Sequence, residues 1–198
     1  DPPPAYRSYT NGELWIEITG ITNDYAYLTL HGTKPNLYYA HLSRTNVAGT
    51  TWTQGRDVYN LNGPTNVVFD PVRLNNQPIN FFRGQQADAA VYVYGSVATE
   101  PDPGSGKGGQ AGVFSFNRQG NLSPALTVYF TIGGTATMGV DYSNILSSVT
   151  FQPGAYGATV NVVPLPDFAI EGDETVTVTL VPTNGYVVSH IAPANSIV

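Results

Sequence analysis

Period-two alternation is the feature that most narrows what this chain can become. In Thr175-Val-Thr-Val-Thr-Leu180 every second side chain is aliphatic, so a strand there buries one face and hydrates the other. Leu126-Thr-Val-Tyr-Phe-Thr-Ile132 keeps the same rhythm with one extra aromatic. No stretch shows helical periodicity. Gly (21) and Pro (15) supply tight turns and oppose long helices. The chain therefore reads as all-β.

Residues 1–12 open with Pro2-Pro3-Pro4 and read as an extended N-terminal arm without a core of its own. Strands follow at Leu14–Ile18 and Tyr25–His31, joined through Asn23-Asp24 as a hairpin, then at Leu37–Leu42. Shorter runs lie at Thr51-Trp52, Asp57–Tyr59, Asn66–Phe69 and Ile79–Arg83. Residues 13–86 thus read as a small β-sandwich module, with Gln85–Asp88 as a short boundary. A second series runs Ala90–Val97, Gly112–Arg118, Leu126–Ile132, Ser147–Phe151, Thr159–Leu165, Thr175–Val181 and Ser196–Val198, giving a second sandwich over 89–198. The flexible stretch 100–110 belongs inside that domain, because Ala90–Val97 needs sheet partners. The expectation is two tandem β-sandwich domains.

Charged residues make up 11% of the chain, against about 25% in an ordinary soluble domain. Thr, Asn, Ser, Gly and Tyr take their place. With only Lys34 and Lys107 as lysines, the surface suits an extracellular setting with little charge repulsion. The net charge of −6 argues against a nucleic-acid partner, since nothing here would neutralise phosphates. Residues 1–88 carry seven acids and six bases, whereas 89–198 carry seven acids and two bases. An acidic half with few cations points either to a bound metal ion or to a plain solvated surface. There is no cysteine, and no apolar run reaches the ~20 residues that span a bilayer. A start at Asp1 without Met reads as a processed or trimmed product.

Four motifs in order give the second half a family likeness. They are Val113-Phe-Ser-Phe-Asn-Arg118-Gln-Gly120, Gly134-Thr-Ala-Thr-Met-Gly-Val-Asp141-Tyr142, Val149-Thr-Phe-Gln-Pro-Gly154, and Val163-Pro-Leu-Pro-Asp167-Phe-Ala-Ile-Glu171-Gly-Asp-Glu174. In register, they resemble the Calx-beta domain family from about Ala89 to Val198. The resemblance implies a seven-stranded, Ig-like sandwich of two antiparallel sheets. In calcium-binding members of that family, carboxylates from the end loops hold Ca²⁺. Matched position by position, it implies Glu100, Asp141, Asp167, Glu171 and Glu174 as carboxylate ligands and the carbonyl of Ala169 as a backbone ligand; Asp173 is matched too, but in an outward orientation. Pro166 stands where calcium-binding members often carry a second acid, and no acidic run follows the last strand, so one weak ion is expected rather than two tight ones. Read as residues, the same groups allow a plainer account: Asp141 as a turn cap and Glu171–Glu174 as an acidic turn into a strand. The first half, through Leu14–His31 and Phe81-Phe82-Arg83, is similar to an uncharacterised β-rich module of exported bacterial proteins.

Catalytic constellations are missing. His31, His41 and His190 are scattered, with no nucleophile motif beside them, and His31 and His41 read as polar surface residues at strand ends. Glu13 and Glu17 flank Trp15 as its solvent-facing side rather than as paired glycosidase carboxylates. The aromatics Trp15, Trp52, Tyr25, Tyr27, Tyr38 and Tyr39 either fill a core or stack on sugars, core being favoured in so small a sandwich. The sequence thus predicts a non-enzymatic extracellular or cell-surface protein, structural or adhesive, as part of a fibre or filament. Its expected partners are copies of itself or neighbouring surface modules, reached by strand addition of the arm. The alternative is a carbohydrate-binding adhesion module with glycan partners.

Overall fold

Asn23 and Asp24 take left-handed backbone angles (φ 49° and 65°), the geometry of a two-residue turn that matches strand twist. They join β1 (Trp15–Thr22) to β2 (Tyr25–His31) as an antiparallel hairpin. In this computed structural model, residues 13–46, 48, 52–61, 66–77, 80–102, 104, 106–166, 172–189 and 194–197 are described, the last four by backbone alone. They form strands and no helix. Accordingly, no helix among them is long and apolar enough to cross a membrane. The chain divides into two compact units, Asp1–Asp88 and Ala89–Val198.

The first unit pairs two sheets. One holds β1, β2, β5 (Asn66–Val68) and β6 (Val72–Arg73); the other has the order β4 (Thr53–Asn60), β3 (Leu37–Arg44), β7 (Phe81–Ala87). Ala26, Leu28 and Leu30 on β2 are fully buried and pack with Tyr39 of β3, Val67 of β5 and Phe69. Each such side chain contributes about 1.5–3 kcal/mol through apolar area removed from water. Gly84 lets the sheets close: a Cβ there would sit 2.3 Å from Leu30 Cδ1. Three expectations change here. Asp57–Tyr59 is not a separate strand: β4 runs continuously from Thr53, just after Trp52, because its ladder with β3 absorbs a bulge between Ala40 and Leu42, and Thr51 lies outside the described residues. Gln85–Ala87 are strand, not boundary, since Gln85 and Ala87 are buried opposite Ala40 and Tyr38. His41 is not a surface residue: mid-strand and 6% exposed, its ring lies edge-on to Phe69 and over Gly55.

The second unit stacks β11 (Ser148–Phe151), β10 (Leu126–Gly134), β13 (Thr175–Leu180) and β15 (Ala194–Ile197) against β12 (Gly157–Val162), β9 (Gly112–Gly120), β8 (Ala89–Gly95) and β14 (Val187–Val188). Phe114, Phe116, Val128, Phe130, Val176 and Val178 come from alternate positions of facing strands and form the core. The Phe116 and Phe130 rings meet at 4.9 Å. This is a β-sandwich with one addition to the seven antiparallel strands implied by resemblance: β14 pairs with β8 in parallel. Tyr186 explains it. Its buried hydroxyl donates to the Val181 carbonyl (2.6 Å) and accepts from the Tyr129 amide (3.1 Å). That corner pins the chain where Val187 turns inward. Residues 163–165, expected within a strand, leave the ladder after Val162, where β9 has no further partner residue.

Candidate metal site

The acidic candidates sit on loops whose positions follow from strand register. Gly95 at the end of β8 pairs with Phe114, and Val162 at the end of β12 pairs with Gly112, so the 96–111 and 163–174 connections leave from one end of the same sheet. Facing them, β10 ends at Gly134 beside Val176, close to the start of β13. The 135–147 connection ties both sheets together there. The Ala136 amide donates to the Thr175 carbonyl (3.1 Å), the Ser143 amide to Val163 (2.9 Å) and the Leu165 amide to Asp141 (2.9 Å). One end of the sandwich therefore carries the loops bearing Glu100 and Asp141, the segment leading toward Asp167, and Glu174.

Asp141 is 6% exposed and already has a role. Its Oδ2 accepts a short hydrogen bond from the Thr137 amide, and its own amide donates to the Thr137 carbonyl (3.0 Å). The carboxylate caps the turn that carries it. Tyr142 beside it is 2% exposed; burial, and after it the Asp141 charge, raises its phenol above the ordinary value. Glu100 is exposed in the 96–111 loop, and Glu174 is half-buried next to β13. Asp167, Ala169 and Glu171 lie outside the described residues. Among the described residues no three His, Cys, Asp or Glu side chains come close enough to hold a metal. The donors on offer are oxygens only, which suits Ca²⁺ and not a thiolate or imidazole metal. Asp141 and Glu174 alone fall short of the six to eight oxygens that Ca²⁺ takes.

Two features escaped the sequence reading. Arg118 is 2% exposed and anchors this unit at the opposite end, where β9 finishes. Its Nε donates to Ala155 (2.8 Å), one terminal nitrogen to Pro124 (2.8 Å), and the other to Leu122 (2.6 Å) and Gln152 (3.2 Å), all carbonyl oxygens. An arginine at an inward position of an alternating strand was the available signal. In the first unit His31 stacks on Trp15 at 4.0 Å and reaches Glu17 (2.7 Å) and Asn66 (2.9 Å) with its two ring nitrogens. Only cross-strand register brings those residues together. The aromatics divide: Tyr38 and Tyr39 are buried, Trp15 and Trp52 half-buried, and Tyr25 and Tyr27 exposed.

Known proteins resemble part of this chain. The structure is similar to that of the apo-form Calx CBD1 domain, at 20% identity over 55% of this chain and 94% of that one, with a TM-score of 0.43. It is similar at the same identity, coverage of this chain and TM-score to CBD12 from CALX1.2, of which the chain spans 43%. Comparison with curated proteins gives no match. Residues 107–195, within the C-terminal unit, match the model of the Calx-beta domain family.

Proposed function

We propose that this chain is an extracellular, non-enzymatic structural or adhesive segment whose Calx-beta unit binds one Ca²⁺ weakly at its loop end. The convergence of the Glu100, Asp141 and 163–174 loops on one end of the sandwich carries this reading. Asp167, Glu171, Glu174, Glu100 and the Ala169 carbonyl would hold the ion, together with whichever Asp141 oxygen the turn leaves free. The ion would offset the mutual repulsion of those carboxylates. Calorimetric titration of chelator-treated protein tests it: binding of one ion is expected, weakened by Asp167→Asn or Glu174→Gln. Saturation to a hundredfold excess over Kd should stabilise the unit by about 2.7 kcal/mol. No heat and no melting shift at millimolar Ca²⁺ would overturn the metal reading.

The fibre role rests on tandem β-units with a weakly charged surface, and on β15 as the terminal strand of its sheet, the kind of edge that accepts another strand. Removal of residues 1–10 should abolish self-assembly seen by electron microscopy. Unchanged filaments would exclude the arm as the donor.

A further inference from the structure

The β1–β2–β5–β6 sheet of the first unit turns one face to its core and the other to solvent, and the solvent face has an unusual composition. Ala26, Leu28 and Leu30 point inward, so Tyr25, Tyr27, Thr29 and His31 project outward in a row along β2. Successive members stand about 6.8 Å apart at the rise of an antiparallel strand, and the row spans about 20 Å. Tyr25 and Tyr27 are 38% and 42% exposed.

Tyr27 is held flat. A bulge between Ile18 and Gly20 brings Gly20 opposite Tyr27, and the Thr19 hydroxyl fixes it by donating to the Tyr27 carbonyl (3.2 Å). A Cβ on Gly20 would lie 3.8 Å from Tyr27 Cδ2, so the ring passes close to a position without a side chain while remaining 42% exposed. At the far end of the row His31 is fixed by Trp15, Glu17 and Asn66 as described above. Glu17 is thereby held at the surface with its side chain 46% exposed, alongside the Asn66 amide. Val68, 71% exposed, sits between these ends beside Thr29.

Glu17 is hydrogen-bonded to His31 on this face, and Arg73 lies 3.5 Å from Asp24. With its arginine held against Asp24, the face offers little to hold an anionic polymer. Electron-rich ring faces attract the weakly positive C–H hydrogens of a sugar ring, and fixed carboxylate and amide groups accept and donate to its hydroxyls. Tyrosine supplies such contact at a small ordering cost.

From this arrangement we infer that the outer face of the β1–β2–β5–β6 sheet is a binding platform for a neutral polysaccharide, with Tyr25 and Tyr27 as the stacking residues and Glu17 and Asn66 as the hydroxyl-recognising groups. The site is separate from the Ca²⁺ reading and stands without it. The full chain would be mixed with microcrystalline cellulose and chitin, and run in native gels containing xylan, mixed-linkage β-glucan or starch, in Ca²⁺ and in chelator. Retention by at least one neutral polymer is expected, equal in both buffers. It should fall at least tenfold in Tyr25→Ala/Tyr27→Ala and persist in Tyr27→Trp. If the double variant melts below the parent chain, Val68→Lys carries the same test, since a charge at so exposed a position blocks the face without entering the core. Three results would overturn the inference: no retention by any of these polymers, retention only by an anionic polymer such as alginate, or undiminished retention by the folded variants. Self-association lost in the double variant without any sugar binding would instead mark the face as a contact between copies and equally defeat it.

Discussion

Removing Arg118 is the most demanding test of how the second unit holds its shape. The guanidinium donates to four carbonyls drawn from the 121–125 connection and the 152–156 turn, and its carbon lies 5.4 Å from the Phe151 ring centroid. Burial lowers its pKa from the ordinary arginine value, so the cation is retained at a desolvation cost that the carbonyl dipoles offset. Arg118→Met keeps the apolar stem and deletes every donor. A hydrogen bond to a charged group contributes about 1.5–3 kcal/mol. The four bonds share one side chain, water re-enters part of the site, and the desolvation cost disappears with the charge, so their sum is not the effect. A loss of about 3–5 kcal/mol remains, the size seen when one member of a buried polar set is removed. For a unit of this length that is roughly 10–20 °C in Tm. Arg118→Lys should fall between, because a point-like ammonium with three donors cannot span both loops as a planar fork does. Urea unfolding of the full chain, with hydrogen exchange read at β9 and β12 amides, isolates this unit from its neighbour. A midpoint shift in Arg118→Met worth less than about 1 kcal/mol, with unchanged m, would refute the clamp.

Alkali should weaken the fold through its buried phenols. Burial, the largest influence, raises Tyr186 above the ordinary value of about 10 despite the backbone and Thr183 hydrogen bonds that pull it down. Tyr39 and Tyr142 shift the same way. The unfolded tyrosines release protons first, so stability is intact below about pH 10 and falls as pH rises beyond it. Tyr186→Phe should flatten part of that fall and cost roughly 1–2 kcal/mol at neutral pH; urea midpoints from pH 7 to 11 measure both, and a parent profile flat through pH 11 contradicts the account. Gly134 has φ 120° and a Cβ there would lie 1.9 Å from the Thr175 carbonyl oxygen, whereas one on Gly133 would meet nothing within 4 Å. Gly134→Ala should therefore cost about 1–3 kcal/mol and Gly133→Ala little, a contrast that melting curves would reveal or deny.

Much of the fold was legible because strand faces follow a two-residue rule. Thr175–Leu180 and Leu126–Ile132 become β13 and β10 with Val176, Val178, Val128 and Phe130 inside, as their alternation requires. The Asn23-Asp24 turn was equally plain, since few residues accept φ above zero. What failed to show depends on distant partners. Val187–Val188 is too short to read as a strand and exists because Tyr186 is anchored five residues back. Gln85–Ala87 looks polar and linker-like, yet each residue is paired across β3. The aromatic row divides by parity alone: Tyr25 and Tyr27 share a face with His31, not with Leu28, although composition favoured a core for all of them. Of the candidate metal site, register supplies the common end of the loops, while Asp167, Ala169 and Glu171 lie outside the described residues.

Asp141 shows why a signature residue is ambiguous before its hydrogen bonds are known. Its Oδ2 closes the Thr137–Asp141 turn, its carbonyl receives Leu165, and its backbone neighbour Tyr142 fills the core. Those contacts hold the 135–147 connection against both sheets with or without an ion, so Asp141 has a structural reason to be aspartate in any domain of this shape. Calcium would share a carboxylate already bonded to an amide. The two uses separate on substitution: Asp141→Asn keeps an amide-accepting oxygen, so it should preserve most of the capping while weakening Ca²⁺ binding, whereas Asp141→Ala removes both. A protein in which Asn and Ala lower the chelator-state melting temperature equally would show that the negative charge, and not the cap, is what this turn needs.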